Sequence, residues 1–203
     1  MNQVTDVVKN LIILNVLVFI LCLAMPSLKY QLAIFYPTSP YFQPYQILTH
    51  MFNHANFGHI LFNMLGLYMF GSPVERVLGS QRFLMFYLFC GFGAIALHMG
   101  VNYVELNYMG ALPEVVLNTP TLGASGAVYG LLAAVAYFYP NAEMMSLFLP
   151  IPVKAKYAVV IYICIELFMG VGRLQGGVAH FAHIGGALFG YLLLLYWARK
   201  RYI

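Results

Sequence analysis

Charge is scarce in this chain. Ten Lys and Arg and six Asp and Glu make 8% of its 203 residues charged, against ~25% in an ordinary soluble domain. A solvated globular surface is therefore excluded. Cysteine is rarer still. Cys22, Cys90 and Cys164 all fall inside apolar runs, so they read as small buried hydrophobes and not as a disulfide framework or a metal cluster. Two catalytic signatures are also missing. There is no HExxH, which a membrane zinc protease needs. In Gly123–Ala124–Ser125–Gly126–Ala127 an alanine stands where the GxSxG elbow requires glycine, so the soluble hydrolase fold finds no support.

What the chain does contain is apolar sequence, 62% of it, with a mean hydropathy of +0.80. This composition belongs to an integral membrane protein. Several runs approach the ~20 residues that a helix needs to cross ~30 Å of hydrocarbon. The breaks between them predict an all-α, polytopic bundle of six transmembrane helices at 8–25, 57–78, 82–103, 125–139, 155–172 and 179–198, with a short central fourth helix. The long break at 26–56 is rich in Pro and Tyr. No small-x-small cleavage site follows the first run, so it reads as a retained helix and not as a signal peptide.

Net charge is +4, but its placement carries more than its sum. With the N-terminus in the cytoplasm, Lys9, Arg76, Arg82, Lys154, Lys156, Arg199, Lys200 and Arg201 lie inside, and only Lys29 and Arg173 lie outside. That asymmetry satisfies the positive-inside rule and predicts both termini in the cytoplasm. The second, fourth and sixth spans then begin at the external face. His59, Asn63, Ser125, His180 and His183 all fall in their opening turns, and polar groups converging at one depth in a membrane read as a functional site. The fourth span adds a depth. About 15 residues give roughly 22 Å, too short to cross alone, so its start is expected below the external surface, with 104–124 dipping to meet it.

Serine needs a neighbouring base, and His183 is the candidate if the fourth and sixth spans touch. Gly126 with Gly130 and Gly186 with Gly190 form two GxxxG pairs that permit such contact, with His183 on the second stripe. Tyr129, one turn after Ser125, falls on the same face and is placed to stack on the imidazole. His59 and Asn63, at i and i+4, are candidate oxyanion donors together with the Ser125 N–H. Glu166 in the fifth span is the one nearby acid. It is expected to be hydrogen-bonded within the bundle in a structural role, which predicts a Ser-His dyad and not a triad. His98 is expected to be interfacial and structural.

Two other readings stand beside this one. The Gly-Ala-Ser-Gly run can be simple helix packing, with the serine bonded to backbone. His50 with His54, and His180 with His183, have spacings that suit metal ligation, although no carboxylate lies near the first pair.

These residues together resemble the rhomboid intramembrane serine proteases. The likeness covers about 43–198 and rests on His54, Phe57, Gly58, His59 and Asn63; on Glu75, Arg76, Gly79 and Ser80; on Gly123, Ser125, Gly126 and Tyr129; and on His183, Gly186 and Gly190. It divides the chain into 1–42, the first helix and the start of an external loop; 43–198, the protease domain; and 199–203, a short basic cytoplasmic tail. The resemblance implies Ser125 as nucleophile and His183 as general base and then acid. His59, Asn63 and Ser125 form the oxyanion hole, with Tyr129, Gly123, Gly126 and Gly186 in support. It implies no cofactor, no metal and no nucleic acid. The partners are transmembrane segments of protein substrates and membrane lipid, and the site opens to the external face of a bacterial plasma membrane. Glu75 and Gly79 become structural elements at a turn, and 26–56 a loop in the outer leaflet. Helix five and the loop around 170–179 become the substrate's entrance. One departure is Tyr45–Gln46, where many members carry Trp-Arg. The alternative function is a membrane binder of transmembrane helices that does not cut them.

Overall fold

The structure is a computed structural model that describes residues 3–145, 151–174 and 177–203. Helices occupy the apolar runs. They are α1 Asp6–Ala24, α2 Pro26–Leu32, α3 Gln46–Thr49 running into a 3-10 turn at His50–Phe52, α4 Phe57–Gly66, a π-helical stretch Leu67–Gly71, α5 Ser72–Leu78, α6 Ser80–Tyr108, α7 Pro113–Asn118, α8 Ser125–Phe138, α9 Ala155–Val171 and α10 His180–Arg199. Their boundaries follow local chemistry. Pro26 opens α2 at a position where its missing N–H costs nothing. Asn56 caps α4 by accepting the His59 N–H at 2.9 Å. Gly79, at φ +76°, turns the chain from α5 into α6.

Two expectations change. The fold is not purely α, because β1 Glu143–Met145 pairs antiparallel with β2 Pro152–Lys154 between α8 and α9. Pro140 follows the end of α8, and Pro152 opens β2, where its missing N–H suits an edge strand. The third span continues beyond 103 to Tyr108, since Asn102, Glu105 and Asn107 are tolerated in a helix once it leaves the apolar layer. It stops at Gly110, φ +68°, where the Ala111 N–H folds back to the Glu105 carbonyl at 3.0 Å. The 26–56 and 104–124 breaks carry structure of their own. They hold α2, α3 and α7, and they pair with each other through the bridge Ile34–Thr121.

Among the described residues α1, α6 and α10 are long and apolar enough to cross a membrane, and α8 is a shorter apolar helix. Large apolar side chains point outward, including Leu17, Ile20 and Leu23 on α1 and Phe168 and Val171 on α9. That arrangement suits lipid and not water. The interior is formed where α10 packs on α6 and α8, and glycine sets the spacing. A Cβ on Gly186 would fall 1.9 Å from the Gly126 carbonyl oxygen, and one on Gly130 would fall 2.3 Å from Cys90 Sγ. The α8 and α10 backbones therefore touch, with α6 filling the third side.

The Glu75 carboxylate ties the opposite end. It accepts from Thr5 Oγ1, from the Val7 N–H at 3.2 Å, from the Val8 N–H at 3.0 Å and from Ser80 Oγ at 2.7 Å. It thus caps the start of α1, where unpaired N–H groups favour a negative charge.

Candidate active site

Ser125 is the first residue of α8 and His183 lies in the first turn of α10. The glycine contacts between those helices bring the two side chains together, with His183 Nε2 2.8 Å from Ser125 Oγ. Ser125 is partly exposed, whereas Ala124 and Gly126 on either side of it are buried. The hydroxyl thus sits at the edge of the bundle interior, paired with an imidazole nitrogen. A serine that is only a packing residue would bond to backbone; this one meets a base. Tyr129 lies over the same imidazole, its ring centroid 4.4 Å away and its plane within 5°.

His59 is beside the pair. Gly123, at φ +127°, has no side chain, and a Cβ there would fall 2.7 Å from His59 Nε2 and 3.7 Å from Ser125 Oγ. Only glycine allows both the backbone turn and this approach. His59 Nδ1 accepts the Ala55 N–H at 3.3 Å. A neutral His59 therefore carries its proton on Nε2, the nitrogen that faces Gly123 and the serine. Asn63 is buried on the same helix, but its Nδ2 donates to the His59 carbonyl at 2.8 Å. One of its two N–H groups is thus engaged within α4.

Glu166 is the residue that sequence reasoning undervalued. It projects from α9 into the same cluster, where Tyr129 Oη donates to Oε1 and His180 Nδ1 lies 2.6 Å from Oε2. His183 Nδ1 stands 3.0 Å from Oε1, yet its N–H is not aligned on that oxygen, and no other partner meets this buried nitrogen among the described residues. The expectation of hydrogen bonding inside the bundle describes Glu166 correctly. The expected pair of Ser125 and His183 is in contact, and the Glu166 carboxylate stands beside the base without an aligned hydrogen bond to it. The available signal was a carboxylate in a lipid-spanning run, which is costly enough to imply a partner.

Glu166, His180 and His183 also offer three metal-ligand atoms within 4.8 Å of one another. Two atoms bound to one zinc ion would stand roughly 3.3 Å apart at ordinary bond lengths and tetrahedral angles. His180 Nδ1 and Glu166 Oε2 are closer than that, at 2.6 Å. His180 Nε2 is engaged with the Leu174 carbonyl at 3.2 Å. A shared proton fits this contact better than a cation does.

His50 and His98 bond elsewhere. His50 Nδ1 contacts the Gln46 carbonyl at 2.9 Å, and His98 Nε2 meets Thr121 Oγ1 at 3.1 Å, tying α6 to the segment before Ser125. Gln46 takes over the local bonding of the first loop without a charge. It donates to the Gln31 and Tyr41 carbonyls at 3.2 and 3.0 Å and accepts from the Gln43 N–H at 3.1 Å. The entrance expected around 170–179 includes residues 175 and 176, which lie outside the described residues. Two clefts, of about 590 and 560 Å³, are lined by neither Ser125 nor His183.

The rhomboid domain family model matches residues 41–200. The chain belongs to the rhomboid family. It is 33% identical over 147 residues to rhomboid protease AarA of Providencia stuartii, covering 70% of this chain and 52% of that protein. It is 31% identical over 205 residues to the mitochondrial presenilin-associated rhomboid-like protein of Homo sapiens, covering 96% and 50%. To rhomboid protease GluP of Bacillus subtilis it is 31% identical over 148 residues, covering 72% and 25%. The chain spans about half the length, or less, of these relatives. As a rhomboid-family chain with long apolar helices it is an integral membrane protein.

Proposed function

We propose that this chain is an intramembrane serine endopeptidase that hydrolyses peptide bonds in or near transmembrane segments of other proteins. The observation that carries the reading is the 2.8 Å contact of His183 Nε2 with Ser125 Oγ, and two relatives are named as rhomboid proteases. As the Ser125 oxygen bonds to the substrate carbonyl carbon, its proton passes to His183 Nε2. The negative charge that develops on the carbonyl oxygen is met by His59 Nε2–H and the Ser125 N–H at the start of α8, with Asn63 supplying its remaining N–H. His183 then gives its proton to the departing amine as the C–N bond breaks. Water next attacks the acyl-enzyme, returning a proton through His183 to Ser125 and releasing the new carboxylate.

In this reading six spans form the bundle: α1, the run α4 to α5, α6, α8, α9 and α10. The 14 residues of α8 reach roughly 21 Å, short of ~30 Å of hydrocarbon, so Ser125 begins below the external surface, where water can reach it. The orientation rests on the Lys and Arg asymmetry, with both termini in the cytoplasm. A substrate helix must unwind to present its carbonyl, because a helical carbonyl is already bonded and shielded.

The test is labelling of the purified protein by a fluorophosphonate probe, combined with cleavage of a reporter transmembrane segment, with and without chelator. Wild type labels and cleaves in both conditions, and Ser125→Ala and His183→Ala do neither. Binding of the segment without labelling or cleavage would assign the chain to the non-cutting binders. Loss of cleavage on chelation would assign the work to a metal at Glu166, His180 and His183.

A further inference from the structure

His183 can take a proton from Ser125 only if Nε2 is bare, so its resting proton must be on Nδ1. That nitrogen is buried, and Glu166 Oε1, 3.0 Å away, is the acceptor within reach. The same oxygen receives the Tyr129 hydroxyl, and the Tyr129 ring lies flat on the imidazole. One carboxylate oxygen therefore holds the base at its edge and, through Tyr129, across its face. A lone carboxylate in this interior would be costly. Its second oxygen, however, meets His180 Nδ1 at 2.6 Å. His180 Nε2 faces the Leu174 carbonyl at 3.2 Å. A carbonyl can only accept, so Nε2 carries a proton, and an ionised carboxylate requires one on Nδ1 as well. A doubly protonated His180 beside an ionised Glu166 leaves the pair neutral.

We propose that Glu166 is a positioning residue of this site, which fixes His183 in its Nδ1–H tautomer at Oε1 and through Tyr129, while His180 as an imidazolium on Oε2 neutralises the carboxylate inside the bundle. The proposal rests on the serine-protease reading for its kinetic consequence and adds an acid to the serine and histidine. Catalytic hydrogen bonds are often off line in an unliganded site and align with substrate bound. The misaligned His183 N–H is a contact of that kind. When His183 accepts the serine proton, its new charge faces the carboxylate across the ring, the arrangement by which a buried acid stabilises an imidazolium.

The experiment uses full-length protein in detergent. Ring nitrogen-15 NMR of histidine, with the His183 signals assigned by their loss in His183→Asn, reads the tautomer in the wild type. The expected result is a protonated Nδ1 on His183 and two protonated nitrogens on His180. In Glu166→Gln, kcat is expected to fall roughly 10²-fold with KM unchanged, less than the ~10⁴ seen when a triad aspartate is replaced, because the Tyr129 ring still covers the imidazole face. Fluorophosphonate labelling should slow in parallel, and Glu166→Asp should recover part of the loss. A wild-type His183 protonated on Nε2, or a folded Glu166→Gln that retains wild-type kcat, overturns the proposal. Should Glu166→Gln fail to fold, the wild-type tautomer decides alone. Failure of the protease reading is distinct, since it appears as wild-type protein that neither labels nor cleaves.

Discussion

Tyr129 lies flat on His183, with ring centroids 4.4 Å apart and planes within 5°, and its hydroxyl is held by Glu166. The imidazole can slide or tilt only by disturbing that stack, and the stack can move only by breaking the Tyr129 hydrogen bond. Two substitutions separate the contributions. Tyr129→Phe keeps the face and loses the hydroxyl; a hydrogen bond to a charged group contributes ~1.5–3 kcal/mol, so kcat should fall roughly tenfold or somewhat more. Tyr129→Ala also loses ~0.5–1.5 kcal/mol of ring contact, and the fall should reach roughly 10²-fold. Equal effects of the two variants on steady-state cleavage would show that the stack contributes nothing.

Gly186 and Gly100 make a second test, because both are helical glycines with opposite surroundings. A Cβ on Gly186 would meet the Gly126 carbonyl oxygen at 1.9 Å, whereas one on Gly100 would meet nothing within 4 Å. Backbone cannot rotate aside as a side chain can, so Gly186→Ala must push α10 off α8 and separate Ser125 from His183. Cleavage should be lost, and the thermal midpoint in detergent should fall by the equivalent of ~1–3 kcal/mol. Gly100→Ala should leave activity intact and stabilise by ~0.5–1 kcal/mol through the unfolded chain. Full activity in Gly186→Ala would remove the packing explanation of the site.

The loop before α4 should set an acid limit on stability. Burial holds His50 down to about 4 and His54 down to about 3, against an ordinary value of 6.5. Above pH 6.5 both are neutral whether the chain is folded or unfolded. Below it the unfolded chain binds their protons and the folded chain does not, so stability declines from pH 6.5 towards pH 4. Neither His54 ring nitrogen makes a well-aligned hydrogen bond among the described residues, so replacing it forfeits little there. His54→Gln should flatten the decline of thermal midpoint with pH; an unchanged slope would assign it to other groups.

Much of the bundle was legible because its boundaries are written in residues with fixed local meaning. Asn56, Gly79 and Pro140 end or begin helices wherever the rest of the chain goes, and the two GxxxG pairs mark faces that must approach. The relation of Glu166 to His183 is of another kind. Glu166 and Tyr129 are 37 residues apart and sit on different helices, and their meeting depends on how α9 is rotated against α8 and α10. Periodicity along α9 does not specify that rotation, since its apolar residues run around the whole circumference, as a lipid-facing helix allows. The tail of α6 was misjudged for a similar reason. Hydropathy reports where lipid ends and not where the helix does, and Gly110 was the better marker of its stop.

The Glu75 cap bears on how the protein is made. Val8, Val7 and Thr5 receive their acceptor from a residue 67, 68 and 70 positions later. On a ribosome the start of α1 is synthesised well before α5 exists. During that interval its opening N–H groups have only water or lipid headgroups for company. The start of α1 is therefore anchored only once the segment that leads into α6 has been made.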